Sequence, residues 1–375
     1  MKLILVDHKD SSDINHFSGT SFFMKKAIEE EFEEVVGFSI IESIEDVKTV
    51  INSGVSAGLK PFGKKLTDFI RDNQIKSDFV LCQGGNTAVP YYKHATPIAY
   101  WHDSSWQTFL QGYKGQKSFE EFRFDYPNLY AWDKKAFDRA DLLLFSSDYV
   151  AEACVKYYGI PAPKIRVIPF GANLQYWPDN DLMKRILQNR LKSSSLNFTF
   201  IGKDWKRKGL DNAFLLVKKL NWAGIASHLS IVGCEPEIKG IDNSPFVSHY
   251  GFLNKAISKD VKLIEDIMQN THFLLHPAVS EPFGIVLCEA NAYGIPVIGT
   301  RTEGLKTIVA EGQNGFLFNR SEFVKKAFDT ILQLNINFNK NYTFLFESAR
   351  AAFNQRLNWS SNVKELKNTL KEFIG

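Results

Sequence analysis

Residues 271–300, THFLLHPAVSEPFGIVLCEANAYGIPVIGT, constrain this chain more than any other stretch. The apolar run Phe273-Leu274-Leu275 reads as a buried strand. A loop from His276 to Glu281 follows, and a helix is predicted from about Pro282 to Tyr293, ahead of a second apolar run, Pro296-Val297-Ile298. Proline suits the first helical turn, where its missing N–H is not needed. Gly294 suits the position just past a helix end, where the backbone turns left-handed. Such a strand–helix–strand unit belongs in a parallel, doubly wound sheet, whose ligands gather outside the carboxyl ends of the strands.

Two carboxylates frame the predicted helix, Glu281 in the loop before it and Glu289 two turns inside. The helical rise puts them roughly 10–12 Å apart, with the amides of Phe283, Gly284 and Ile285 between them. A nucleotide-sugar has matching chemistry: hydroxyls on ribose and hexose, and a pyrophosphate between. Helix amides and the positive end of the dipole suit the pyrophosphate, and carboxylates accept from the hydroxyls. An ordinary helix start with an exposed glutamate further on would read the same way on these two residues alone.

The full string SEPFGIVLCEA, followed by Gly294-Ile295-Pro296-Val297, resembles the EPFG…E signature of retaining family-4 glycosyltransferases, which have the GT-B fold. The resemblance implies that Glu281 contacts the donor sugar and Glu289 binds the ribose. It extends to Gly202-Lys203 and Lys208-Gly209, which match the family's Arg/Lys…Lys-Gly element, so Lys203 and Lys208 are expected to neutralise the diphosphate as it leaves. Lys206 and Arg207 beside them read as an exposed basic turn. By the same resemblance Gly19, at the start of the first helix, faces the diphosphate, although relatives often carry two glycines there. His102, in YWHDSSWQTFLQGY, lies near the donor sugar, and Gly251-Phe252-Leu253 clasp the base. The neighbouring aromatics Trp101, Trp106, Phe109 and Tyr113 could stack on an acceptor sugar, with core packing as the default for such rings.

Composition bounds the alternatives. A chain of 375 residues favours two domains. Apolar residues are 44% and charged residues 23%, enough for large cores and against global disorder. A net charge of +3 gives no argument for nucleic acid as a partner. Cys82, Cys154, Cys234 and Cys288 are scattered, as buried thiols of a reducing compartment would be, and not spaced as metal ligands. The apolar run Leu3–Val6 is too short for a signal peptide, and no run reaches the ~18 residues of a membrane span, so the chain is expected to be cytoplasmic.

Along the chain, strands are predicted near 2–6, 35–41, 78–82, 97–101, 141–146 and 164–168, alternating with helices near 22–34, 45–53, 64–72, 133–140 and 147–158. Gly54 to Gly63 reads as a break. The helix over 64–72, with Lys60, Lys64, Lys65, Arg71 and Lys76 around it, offers a basic face like those some relatives use to reach lipid-linked acceptors at a membrane. A solvated face explains it more simply. Pro169-Phe170-Gly171-Ala172-Asn173 matches the family's P-x-G-x-N/D element, and 173–196 reads as a linker. Asp179-Asn180-Asp181 inside it has the D-x-D form of metal-dependent glycosyltransferases of another fold; its place in a linker makes it a solvated turn.

The expectation is therefore a GT-B protein: two Rossmann-like domains facing each other across a cleft, an acceptor-side domain at 1–172, a donor-binding domain at 197–357, and a last helix within 358–375 crossing back onto the first. The resemblance implies retaining transfer of a hexose from a UDP- or GDP-sugar to a saccharide or lipid-linked acceptor. The leaving phosphate itself would accept the acceptor's proton, with no cofactor and no metal. A GT-B epimerase or phosphorylase, or a non-catalytic nucleotide-sugar sensor, stays open at this point. No local signature of a pyridoxal-anchoring lysine is visible, and neither glutamate nor Lys208 is missing.

Overall fold

The computed structural model describes residues 1–7, 11–14, 16–40, 43–84, 86–114 and 118–375. Residue 41, the end of the strand predicted near 35–41, lies outside the described residues, as does the side chain of Tyr113. The chain divides into two compact units, Met1–Phe170 with Trp359–Gly375, and Gly171–Asn358.

The first unit is built on six parallel strands: β1 (Lys2–Asp7), β2 (Glu34–Ser39), β3 (Phe79–Gln83), β4 (Ile98–His102), β5 (Leu142–Phe145) and β6 (Ile165–Val167), in the order β2-β1-β3-β4-β5-β6. The inner strands are buried along nearly their whole length, as strands covered on both faces by helices must be. The core runs from Ile4, Val80 and Tyr100 to Leu143 and Phe145, with Leu59, Leu66 and Phe137 packed on it from the helices. The helix Trp359–Ile374 belongs to this unit, where Lys367 Nζ donates to the Glu31 carbonyl (2.6 Å).

Residues 54–63 are not a break. A single helix runs Val55–Asp72 through Gly58, Pro61 and Gly63. Tertiary packing overrides the weak local propensity. A Cβ on Gly58 would lie 2.3 Å from a Val50 methyl, and one on Gly63 would lie 2.5 Å from the Tyr91 backbone, so both glycines mark close approaches between elements.

The second unit repeats the plan with β7 (Leu196–Ile201), β8 (Ser227–Val232), β9 (Val247–His249), β10 (Phe273–His276), β11 (Val297–Thr300) and β12 (Gly315–Phe318), in the order β12-β11-β10-β7-β8-β9, again all parallel. The chain winds from β7 outward to β9, then returns to the other side of β7 for β10. The β7/β10 boundary is therefore the switch point, where the loops after two neighbouring strands part and leave a crevice.

The stretch 173–196 is no linker. The helix Asn180–Lys192 occupies most of it, docked by the buried Arg190, which donates to the carbonyls of Met268 (2.8 Å) and Gln269 (3.1 Å). Asp179 caps this helix by accepting from the Leu182 amide (2.8 Å), and Asp181 pairs with Lys184 (3.1 Å). The D-x-D is thus solvent-exposed, as expected, but starts a helix instead of forming a turn. Among the described residues, no helix is long and apolar enough to cross a membrane.

Candidate active site

The switch point of the second sheet gathers the charged residues. β10 is wholly buried and ends in His276; the loop after it carries Ser280 and Glu281. β7 ends in Ile201, and the short helix Trp205–Lys208 follows, capped by Asp204 and closed by Gly209 at φ +75°. Gly209 has no alternative, since a Cβ there would sit 2.1 Å from the Pro277 carbonyl oxygen. The stem of Lys208 lies across Gly202, so close that a Cβ on Gly202 would fall 2.2 Å from Lys208 Cδ. Gly209 lets the β7 loop press against the β10 loop, and Gly202 lets Lys208 fold back over its own loop.

The result is a buried carboxylate held by three donors. Glu281 Oε2 lies 3.1 Å from His276 Nε2, 3.2 Å from Lys208 Nζ and 3.6 Å from Arg207 Nη1. Burial alone would raise the carboxyl pKa. Lys208, the His276 hydrogen bond and Arg207 together outweigh it and hold Glu281 well below the usual carboxylate range. Burial drives His276 the other way, toward the neutral ring, against the pull of Glu281.

The loop bearing Glu281 is tied from both sides. Arg207 Nη1 donates to the Ser280 carbonyl (2.6 Å), and the Val279 amide donates to the Arg207 carbonyl (2.7 Å). Opposite, Ser280 Oγ donates to both oxygens of Glu303 (2.8 Å each), and the Gly304 amide donates to the Glu281 carbonyl (3.2 Å). Glu303 is held at φ +35°, a left-handed conformation costly for a residue with a side chain. Burial raises its pKa.

The helix carrying Glu289 begins later than its sequence suggests. It runs Ile285–Ala292, with Gly284 at φ +95° as its cap, so Pro282 and Phe283 precede it. The loop is drawn instead into the clamp around Gly304, where a Cβ would meet the Pro282 carbonyl oxygen at 1.8 Å. Of the three amides expected to open the helix, Gly284 and Ile285 do so and Phe283 does not. Gly294, at φ +65°, sits just past the helix end as predicted. Almost the whole helix is buried, Glu289 included.

Glu289 is met by Lys255, whose Nζ lies 2.6 Å from Oε1 and also donates to the Asn173 carbonyl (3.1 Å). Lys255 follows the Gly251-Phe252-Leu253 loop. Gly251 there is at φ +59°, its carbonyl accepts from Gly233 (2.6 Å), and Phe252 is exposed under the ammonium of Lys203, 4.3 Å from the ring centre. Lys203 is thus exposed on an aromatic face, separate from the Glu281 cluster.

Arg207 is not the exposed turn residue expected from the sequence: its side chain is only 11% exposed and helps hold Glu281. Lys206 is exposed, over the ring of Trp205. The residues that sequence reasoning missed are Arg207, His276, Ser280, Glu303 and Lys255. His276, as a polar residue ending an apolar strand, carried the one available signal.

In the first unit the carboxyl ends of β1, β3 and β4 carry Asp7, Gln83 and His102. Asp7 is buried and accepts from Ser11 Oγ (2.7 Å) and from Gln83 Nε2. His102 is stacked between Phe17 and Tyr100, and its Nδ1 lies 3.0 Å from the Ser104 carbonyl. Gly19, at φ +85°, opens the helix Thr20–Glu31 beneath Phe17 and Ser18, which are also at positive φ. Trp101 is core: wholly buried, donating to the Ile168 carbonyl (3.1 Å) and packed on Phe170 and Trp359. Trp106 packs on Trp132.

Two all-parallel six-stranded sheets, each flanked by helices, define the GT-B class, and solved structures agree on the fold. Sucrose-phosphate synthase from Thermosynechococcus elongatus superposes with a TM-score of 0.70 at 16% identity, covering 99% of this chain and 98% of that one. HepE from Anabaena, solved in complex with UDP-glucose, does so with a TM-score of 0.64 at 16% identity, covering 99% of this chain and all of that one (100%). Residues 186–343, within the second unit, match the family model of the glycosyl transferases group 1. The D-inositol 3-phosphate glycosyltransferase of Paenarthrobacter aurescens is 23% identical over 192 residues, which cover 49% of this chain and 47% of that protein. This chain spans about half the length of the curated relatives it matches (52% and 47% for two of them).

Proposed function

We propose that this protein transfers a hexose, with retention of configuration, from a UDP- or GDP-sugar to a saccharide or lipid-linked acceptor hydroxyl. The observation that carries the reading is the buried Glu281–Lys208–His276–Arg207 cluster at the switch point, beside the start of the helix that bears Glu289. Glu281, ionised throughout the neutral range, accepts from hexose hydroxyls. Lys208, with Lys203 nearer solvent, meets the charge that grows on the diphosphate as the glycosidic bond breaks. The opening turn of the helix, at Gly284 and Ile285, adds its amides to the same anion. Glu289 accepts from the ribose, exchanging its contact with Lys255 for the two hydroxyls, and Gly251-Phe252-Leu253 border the base. To Gly19 we assign a diphosphate contact and to His102 a contact with the transferred sugar.

No side chain is assigned as nucleophile; the departing phosphate takes the acceptor's proton. We assign the neutralising charge to lysines and helix amides and none to a metal, since Asp179 and Asp181 are spent on the start of a helix. Four buried free cysteines support a reducing compartment.

A thermal-shift screen against UDP- and GDP-sugars, followed by product analysis with the donor that binds, tests the reading. A ligand at 100 times its dissociation constant stabilises by about 2.7 kcal/mol. Failure of every nucleotide-sugar to shift the transition would refute it.

A further inference from the structure

Glu281 could be held in many ways, yet all three of its donors reach the same oxygen. Lys208, His276 and Arg207 each make their closest approach to Oε2, and the one hydrogen bond from His276 Nε2 goes to that oxygen. The three donors differ in what else they can do. Under the reading above, Lys208 serves the diphosphate and is drawn toward it when the donor binds. Arg207 is committed to the Ser280 carbonyl and Asp204, and is the most distant of the three. His276 is fully buried, so it cannot touch a ligand and can act only through Glu281. Its other nitrogen, Nδ1, is buried with no hydrogen-bond partner among the described residues. Nothing there stabilises a second proton, and Lys208 and Arg207 stand close enough to disfavour one. A neutral donor holds the carboxylate without cancelling the charge that makes it a strong acceptor.

We propose that His276 is a positioning residue: its Nε2–H fixes Oε2 of Glu281, so that Oε1 stays presented to a hexose hydroxyl once Lys208 has turned to the diphosphate. This rests on the reading of Glu281 as the sugar acceptor.

The test is calorimetry with two probes, a nucleoside diphosphate and its sugar conjugate, using UDP with UDP-glucose or GDP with GDP-mannose according to which pair the wild type binds. The variants are His276→Phe, His276→Gln and Glu281→Gln. The Phe variant should bind the bare diphosphate within about twofold of wild type but the sugar conjugate about tenfold more weakly, ~1.4 kcal/mol. The Gln variant keeps an N–H donor and should recover most of that loss. Where the Phe variant does not fold, His276→Asn, whose amide falls short of Glu281, replaces it. Equal losses for both probes, or a Gln variant no better than the Phe variant, would overturn the proposal as a merely structural role. A conjugate-specific loss in Glu281→Gln with none in His276→Phe overturns it alone. No loss in Glu281→Gln, or a wild type that binds neither pair, sinks the reading of Glu281 and the proposal with it.

Discussion

Asp133 gives the sharpest stability test. It is fully buried on the helix Pro127–Arg139, where it accepts from the Trp106 amide (2.7 Å), the Tyr158 hydroxyl (2.8 Å) and Asn86 Nδ2 (3.4 Å). No cation is among these partners. Burial therefore wins over the three hydrogen bonds and pushes its pKa from 3.8 up to about 7. Because the folded value lies above the unfolded one, the folded protein keeps a proton that the unfolded chain has already released. Stability then falls as pH rises from about 4 to about 7, and is level above that. The shift of roughly three units corresponds to a loss of ~4 kcal/mol across that window. Asp133→Asn removes the titration: it should match or fall slightly below wild type near pH 4, gain on it steadily up to about pH 7, and hold that gain to pH 8. Urea unfolding of both proteins at a series of pH values, followed by the fluorescence of the buried Trp101 and Trp132, measures the difference, in which the other titrating groups cancel. A difference that stays constant from pH 4 to 8, or a wild type that gains on the variant as pH rises, would refute the reasoning.

Three further outcomes are expected. Glu289→Gln should weaken UDP or GDP binding by ~1.5 kcal/mol, the worth of a charged hydrogen bond; unchanged affinity in calorimetry rules out the ribose role. Activity should survive EDTA, and Asp179→Ala with Asp181→Ala should leave turnover intact while costing ~1 kcal/mol of stability through the lost helix cap. Loss of activity to chelator, restored by manganese, would contradict this. Lys208→Ala should depress turnover by roughly 10²–10³ while weakening donor binding less, with Lys208→Arg a partial rescue and Lys206→Ala close to wild type. Equal losses at Lys206 and Lys208 in steady-state kinetics would mean a diffuse basic surface.

The alternation of short apolar strands with helices was legible from the chain alone, because each signal spans a few residues. The run Phe273-Leu274-Leu275, Gly294 past its helix and the paired Glu281 and Glu289 all declare themselves locally. What the sequence could not show is which neighbours meet. Lys206 and Arg207 are adjacent and carry the same charge, yet one points to solvent and the other to Glu281, because four residues of helix turn successive side chains to different faces. Gly58, Pro61 and Gly63 read as a break, yet they lie inside one helix, with Gly58 packed against Val50 and Gly63 against Tyr91. Likewise Asp179 and Asp181 resemble a metal motif until Arg190, buried against the carbonyls of 268 and 269, pulls the segment into a docked helix. The contacts that define the site, His276 and Lys208 with Glu281 and Lys255 with Glu289, depend on the winding order that sets β10 beside β7 and on glycines that let the loops approach. Propensity and periodicity act over one or two turns of chain. The partners of a buried charge are chosen by the whole sheet.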